Sequence, residues 1–361
     1  MERKEKYNVA IAGATGAVGQ EMMQILEERN FPVGELRLLA SERSSGRKYS
    51  FCGREIIVSV LGEDSFRGID IALFSAGSER SKKYADRAVA SGAVVIDNSS
   101  AFRMDPEIPL VVPEINAQAA ALHEKKGIVA NPNCTTAVAI MALKPIHEVS
   151  RIKRVVATSF QAVSGAGAGG IAELESQVRS WSESEEPPRE INTFPHQIAF
   201  NVIPHVDSFT ESGYTKEEMK LHNETRKILG DDSIVLTATT VRVPVFRSHS
   251  VSLNLETERK VTVEEAREAI RDFPGVSLVD DPENSDYPMP VESSGKDDCF
   301  VGRIREDYTV KNGLSLWVSG DQLRKGADLN AVQIAYLLVT YHVRDRCLEK
   351  SIGFLQSPPM N

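Results

Sequence analysis

The sequence predicts an α/β chain: a Rossmann-type domain built on a parallel sheet, followed by an α+β domain with a mixed sheet. Three observations predict it. Up to about residue 150 short apolar runs alternate with helical patterns, as βαβ units require. The first of these runs leads straight into a glycine-rich turn and a helix. Beyond that point the runs lengthen and fill with Val, Thr and Ser, which suits strands that are wet on one face.

In chain order, 9–13, 36–40, 56–60, 69–75 and 94–97 read as strands, with helices at 19–28 and 79–91. Another strand at 127–131 is broken by Asn131-Pro132-Asn133, and a helix at 135–143 starts just after the break. The second region gives strands at 154–162, 233–244, 248–256 and 314–319, a Gly-rich loop at 164–170, a polar surface loop at 182–189 and a helix at 215–229. The last helix, 328–344, places Ala331, Ile334, Ala335, Leu338, Tyr341 and His342 on one face, and that face is expected to pack on the first domain. The tail at 351–361 reads as a disordered end.

Composition narrows the chemistry. At 361 residues and 41% hydrophobic, the chain can bury two cores, and its net charge of -9 argues against a polyanion such as nucleic acid as main partner. Its start is charged and the apolar stretch that follows is far too short for a signal peptide or membrane span, so a cytoplasmic, soluble protein is expected. Cys52, Cys134, Cys299 and Cys347 show neither a CxxC pair nor a histidine at ligand spacing, so no metal site is expected.

The turn Gly13-Ala14-Thr15-Gly16-Ala17-Val18-Gly19 stands between a strand and a helix, where backbone N–H groups and the helix dipole favour a pyrophosphate. At the end of the second strand an NAD site usually carries an acid. Glu42 is there, but Ser41, Arg43, Ser44, Arg47 and Lys48 surround it and suit a 2′-phosphate, so the reading is NADP. Cys134 follows Asn131-Pro132-Asn133 where a strand ends and a helix begins, a junction that stabilises a thiolate and an oxyanion built on it. Of seven histidines only His249 follows a strand dense in functional types, Val241 to Ser248.

These residues carry a resemblance over nearly the whole chain. With Asp97-Asn98-Ser99-Ser100-Ala101-Phe102-Arg103, Ser159-Phe160-Gln161-Ala162-Val163-Ser164-Gly165-Ala166-Gly167, Arg242-Val243-Pro244-Val245 and Asp321-Gln322-Leu323-Arg324-Lys325-Gly326-Ala327, the sequence resembles the aspartate-semialdehyde dehydrogenase family. The resemblance implies a nucleophile at Cys134, an acid–base residue at His249 that takes the thiol proton, and Gln161 to orient the substrate. It further implies Arg242 on the substrate carboxylate, Glu217 on its ammonium, and Arg103, Lys220 and Asn133 around phosphate. For the cofactor it points to Gly13 and to Thr15, Gly16, Ala17 and Val18 at the pyrophosphate, and to Ser41, Arg43 and Ser44 near the 2′-phosphate. Ser164, Gly165 and Gln322 fall at the nicotinamide end; the family often has Asn where Gln322 stands.

The implied reaction is the reversible, NADP-dependent reductive dephosphorylation of L-4-aspartyl phosphate through a Cys134 thioester, a step toward lysine, methionine, threonine and isoleucine. Another acyl-phosphate or acyl-CoA reductase, or a non-catalytic NADP-binding homologue, stands as the alternative. The implied organisation is an NADP-binding domain of residues 1–133 and 330–361, with a substrate-binding and dimerisation domain, 134–329, inserted, and an assembly of two or four copies.

Overall fold

The computed structural model describes residues 4–184 and 191–340. The chain divides into two compact units, one running to Asn133 and resuming at Ala327, the other Cys134–Gly326. The second crossing thus lies at 326/327, where the sequence reading placed it at 329/330.

The first unit holds β1 (Tyr7–Ala12), α1 (Ala17–Glu28), β2 (Val33–Ala40), β3 (Lys48–Phe51), β4 (Arg54–Ile57), β5 (Ser59–Val60), β6 (Ile71–Phe74), α2 (Ser78–Ala90), β7 (Val94–Asp97), the single turn α3 (Pro113–Asn116) and β8 (Ile128–Ala130). Six of the strands make an all-parallel sheet in the order β5-β2-β1-β6-β7-β8. Because the sheet is covered on both faces, β6 and β7 are buried at every residue, which is why they read as unbroken apolar runs. The run 56–60, expected as one strand, is divided: Arg54–Ile57 pairs antiparallel with β3, and Ser59–Val60 joins the edge of the main sheet beside β2.

The second unit holds α4 (Cys134–Val149), β9 (Ile152–Gln161), α5 (Gly167–Ser184), α6 (Lys216–Leu229), β10 (Val235–Arg242), β11 (His249–Thr257), α7 (Val263–Arg271), β12 (Val276–Leu278), α8 (Pro290–Ser293), β13 (Cys299–Asp307) and β14 (Gly313–Gly320). Its sheet runs β10-β9-β11-β14-β13-β12 and is mixed: β9 and β10 are parallel, while β11 is antiparallel to both β9 and β14. Burial alternates along β9 and β10, so one face is core and the other wetter. Onto the core face lies α4, whose Val138, Ile140 and Met141 are fully buried with Leu253, Leu316 and Val318 of the strands. α6 is set by its cap. The Thr215 hydroxyl accepts from the Glu218 N–H while the Glu218 carboxylate accepts from the Thr215 N–H, a capping box worth about 1 kcal/mol.

Residues 167–170, expected as part of a loop, open helix α5 instead, and β12, β13 and α7 were not anticipated. The final helix, α9 (Leu329–Thr340), packs on α1, and its Ala331, Ile334, Ala335 and Leu338 enter the core of the first unit. Tyr341, His342, Cys347 and the 351–361 tail lie outside the described residues, as does the loop 182–189 beyond Ser184.

Candidate active site

The parallel pairing of β9 with β10 makes Gln161 and Arg242 register partners at the C-terminal ends of their strands. β11 runs the other way and therefore begins at that same end of the sheet, with His249 opposite Gly320 of β14. Register alone gathers three polar side chains there. α4, lying on β11 and β14, contributes Cys134 as its first residue. A methyl group added at Gly326 would stand 3.1 Å from the Cys134 Cβ, so the segment after β14 closes against the thiol.

Gln161, Glu217, Arg242 and His249 are each at least nine-tenths buried, so their polar atoms need one another. One carboxylate oxygen of Glu217 accepts from the Gln161 amide at 3.3 Å and the Thr135 hydroxyl at 3.4 Å, and the other accepts from the Lys220 ammonium at 2.9 Å. Glu217 and Lys220, three apart on α6, thus share a face, and Lys220 also donates to Asp207 at 2.9 Å. Burial alone would lower the Lys220 ammonium, but the Glu217 and Asp207 carboxylates overcome it and hold it above its usual range. Arg242 Nη1 donates to the Ala162 carbonyl at 2.6 Å. Burial pushes this guanidinium down, against the pull of Cys134 as a thiolate and of Glu217.

His249 is fully buried, and burial, reinforced by the Arg242 charge, pushes its imidazole down to about 3 against the pull of Glu217 and the Ser248 carbonyl. It is neutral near pH 7. Its Nδ1 accepts from the Ala162 N–H at 3.1 Å, and a backbone amide can only donate. The ring proton therefore sits on Nε2, which has no hydrogen-bond partner among the described residues. The resemblance gave His249 the thiol proton to accept. In this tautomer Nε2 is a donor, and the geometry supplies a hydrogen bond for an oxyanion.

The turn at 162–165 is stitched to the next loop by the Val163 N–H on the Val245 carbonyl at 2.8 Å. Gln322 bridges this region, accepting from the Ser248 N–H at 2.7 Å and donating to the Ser164 hydroxyl. A methyl on Gly165 would come within 2.7 Å of Arg242 Nη1 and 3.3 Å of His249 Nε2. A side chain there would have to displace one of these two groups.

In the first unit, Gly13 has φ +93°, and a methyl there would stand 2.4 Å from the Ser75 carbonyl oxygen. Gly16 is the exposed N-cap of α1 and offers no side-chain cap, so the leading N–H groups of the helix stay open to an anion, with Thr15, Ala17 and Val18 around them. After β2, the exposed Ser41 leads into a short turn (Glu42–Ser44) whose Arg43 is exposed and makes no ion pair among the described residues, whereas Ser44 is buried. These residues fit a dinucleotide.

Arg103 is buried in this unit, with Nε on the Asn131 carbonyl at 2.8 Å and Nη2 on the Asn98 carbonyl at 2.7 Å. Its loop is braced by Asp97, which takes hydrogen bonds of 2.6 Å from both Ser81 and Ser99. Asn133 is the last residue of the unit and is buried as well. Cys52, Cys134 and Cys299 are in no disulfide, and among the described residues no group of three or more His, Cys, Asp or Glu is placed to hold a metal and no helix is long and apolar enough to cross a membrane.

Residues 8–123 match the model of the semialdehyde dehydrogenase NAD binding domain, and 143–325 that of the semialdehyde dehydrogenase dimerisation domain. The chain is 56% identical to the aspartate-semialdehyde dehydrogenase of Aquifex aeolicus (strain VF5), over 92% of its own length and 98% of that protein. The chain belongs to the aspartate-semialdehyde dehydrogenase family.

This aspartate-semialdehyde dehydrogenase family member is 49% identical to the Bacillus subtilis (strain 168) protein of that name, over 91% of its length and 96% of that protein. It also superposes with a TM-score of 0.91 on the crystal structure of aspartate semialdehyde dehydrogenase II from Vibrio cholerae complexed with ASA, at 47% identity, covering 94% of this chain and 100% of that one. Membership makes the chain an oxidoreductase with a nicotinamide-binding parallel-sheet domain and a mixed-sheet dimerisation domain. Sequence reasoning did not single out Thr135, Asp207 and Phe194, which lie against Glu217, Lys220 and Arg242 respectively. Thr135 had a signal, its place beside Cys134; the other two become neighbours of site residues only through the fold.

Proposed function

We propose that the chain catalyses the reversible conversion of L-4-aspartyl phosphate to L-aspartate 4-semialdehyde and phosphate, using NADP and a Cys134 thioester. The observation that supports it best is the buried set at one end of the second sheet: an arginine for a carboxylate and a glutamate for an ammonium beside a thiol at a helix start. A free amino acid presents both charges. An acetylated amine would leave Glu217 paired with Lys220 alone, one charge contact fewer than a free amino acid offers.

In the biosynthetic direction the Cys134 thiolate attacks the acyl carbon, the carbon–oxygen bond to phosphate breaks, and phosphate leaves with that electron pair. Arg103, Asn133 and Lys220 are assigned to the departing phosphate, and Gln161 orients the acyl group. When bound, NADPH supplies the hydride that reduces the thioester carbon. The tetrahedral oxyanion takes a hydrogen bond from His249 Nε2, and its collapse expels the Cys134 thiolate and leaves the aldehyde. With sulfur entering and leaving as thiolate, no base is needed for the thiol proton. Arg242 holds the α-carboxylate and Glu217 the ammonium throughout.

For the cofactor, Gly13, Thr15, Gly16, Ala17 and Val18 are assigned to the pyrophosphate, Ser41, Arg43 and Ser44 to the 2′-phosphate, and Ser164, Gly165 and Gln322 to the nicotinamide end. The unit ending at Asn133 and resuming at Ala327 is then the NADP-binding domain, and Cys134–Gly326 the substrate-binding and dimerisation domain of a cytoplasmic homodimer or tetramer. Arg43→Ala should raise KM for NADP by roughly ten- to a hundredfold, the worth of one charge-assisted hydrogen bond, and leave KM for NAD unchanged. An equal rise for both cofactors would remove Arg43 from the 2′-phosphate.

The reading is tested by supplying aspartate semialdehyde, phosphate and NADP and following NADPH absorbance. Turnover must require phosphate, and a rate independent of phosphate would overturn the reaction. In the same assay Arg103→Leu should raise KM for phosphate on the order of a hundredfold while moving KM for NADP less than about twofold. Parallel changes in both constants would mean that Arg103 serves the fold and not the anion.

A further inference from the structure

The aromatic ring of Phe194 lies over the Arg242 guanidinium, with Cζ 5.7 Å from the ring centroid. Phe194 is buried and belongs to a small apolar cluster with Val163, Leu174 and Ile198. It is also held from behind. The buried Glu173 of α5 accepts from the N–H groups of Asn192 and Thr193, and one turn further on the Gln177 amide oxygen accepts from those of Ile198 and Ala199 at 3.0 Å each. Two side chains of one helix therefore fix the backbone on both sides of the ring. A methyl added at Gly170 would come within 3.0 Å of the Phe194 Cζ, so the ring tip rests on the bare start of the same helix.

A guanidinium is a flat cation with a ring of donors around its rim and weakly hydrated faces. Here the Ala162 carbonyl occupies part of the rim and Phe194 covers a face. What remains for a ligand is the rest of the rim, which matches a carboxylate approaching in plane with two parallel hydrogen bonds. We propose that Phe194 is a positioning residue for substrate-carboxylate recognition, acting by lying on the Arg242 guanidinium and presenting its free rim. This rests on the assignment of Arg242 to the carboxylate. It explains why α5 buries two polar side chains to tether a loop that contributes only an apolar ring to the site.

The test compares the full-length protein with Phe194→Leu, Arg242→Met, the double variant, and a protein carrying 3,5-difluorophenylalanine at position 194. The fluorinated ring keeps the shape and packing of phenylalanine while weakening the negative face that attracts a cation. Phe194→Leu should raise KM for aspartate semialdehyde about tenfold, with KM for NADP and for phosphate unchanged. The difluoro ring should raise it about threefold with unchanged thermal stability. In the Arg242→Met background Phe194→Leu should lower kcat/KM no further. Wild-type KM in the difluoro protein, or an undiminished tenfold effect in the Arg242→Met background, would show that the ring only fills space and would overturn the proposal. Should Arg242→Met itself leave kcat/KM for the semialdehyde unchanged, the carboxylate assignment falls, and the role of Phe194 with it; that outcome is separate from the other two.

Discussion

Cys134→Ala should lower turnover of aspartate semialdehyde by about 10⁴-fold or more while leaving NADP binding intact. The expectation follows from position. As the first residue of α4 the thiol meets helix N–H groups that have no partner within the helix, and Arg242 is near enough to feel its charge. Both forces favour the sulfur anion, and both persist when alanine replaces it. The helix beyond is anchored by Val138, Ile140 and Met141 in the core, so removing one sulfur atom does not unfold it. Rapid mixing gives a second reading. Without phosphate the wild-type protein should release about one equivalent of NADPH per site and then stop, because the thioester has no acceptor; Cys134→Ala should show no such burst. Activity within tenfold of wild type would exclude a thioester at this position.

His249 should be replaceable by glutamine far better than by alanine. A glutamine amide can put an N–H close to where Nε2 now stands, whereas alanine leaves nothing. Losing a hydrogen-bond donor to an oxyanion typically lowers kcat by about 10²- to 10³-fold, so His249→Ala should fall in that range and His249→Gln should recover at least about tenfold of it. The pH dependence is a further check. Because burial and Arg242 hold the imidazole down to about 3, it stays neutral and proton-bearing at Nε2 from about pH 5 upward, and titration of His249 should put no inflection in kcat between pH 5 and 8. For stability the sign is equally definite. The unfolded chain binds a proton on this histidine near pH 6.5 and the folded chain does not until about 3, so stability is lost as pH falls through that window. Were His249 instead the acceptor of the thiol proton, glutamine would be as inactive as alanine, and the alkylation rate of Cys134 would shift along the pH axis in both variants.

Much of the fold was legible where local and tertiary preferences agree. β7 was read with the bounds it has, 94–97, since a strand buried on both faces needs an unbroken apolar run. The helix at 215–229 was legible through its capping residues. β13 was not, because an irregular register between Gly302 and Arg305, with Arg303 at φ +54°, breaks the alternation that marks a strand. α5 opens on Gly167, Gly169 and Gly170, residues with poor helix propensity, and its buried Glu173 and Gln177, besides pairing with each other, take backbone partners in the distant 192–199 segment. In the site, residue types and motif order pointed to Cys134, Arg242 and His249, but which nitrogen of His249 bears the proton depends on the Ala162 amide 87 residues away. No pattern within a window encodes that.

The return of α9 to the first unit has a consequence for how the chain is made. Leu329, Val332 and Ile334 belong to the same core as Val9, Ile11 and Met22, yet the whole of Cys134–Gly326 is synthesised between them. While the ribosome is still elongating, β1 to β8 have emerged with part of their hydrophobic cover untranslated, and the parallel strands can finish packing only after the last helix appears. Synthesis of the whole second unit before completion of the first is therefore built into the order of the gene product, and the parallel sheet must wait for its last helix with apolar surface uncovered.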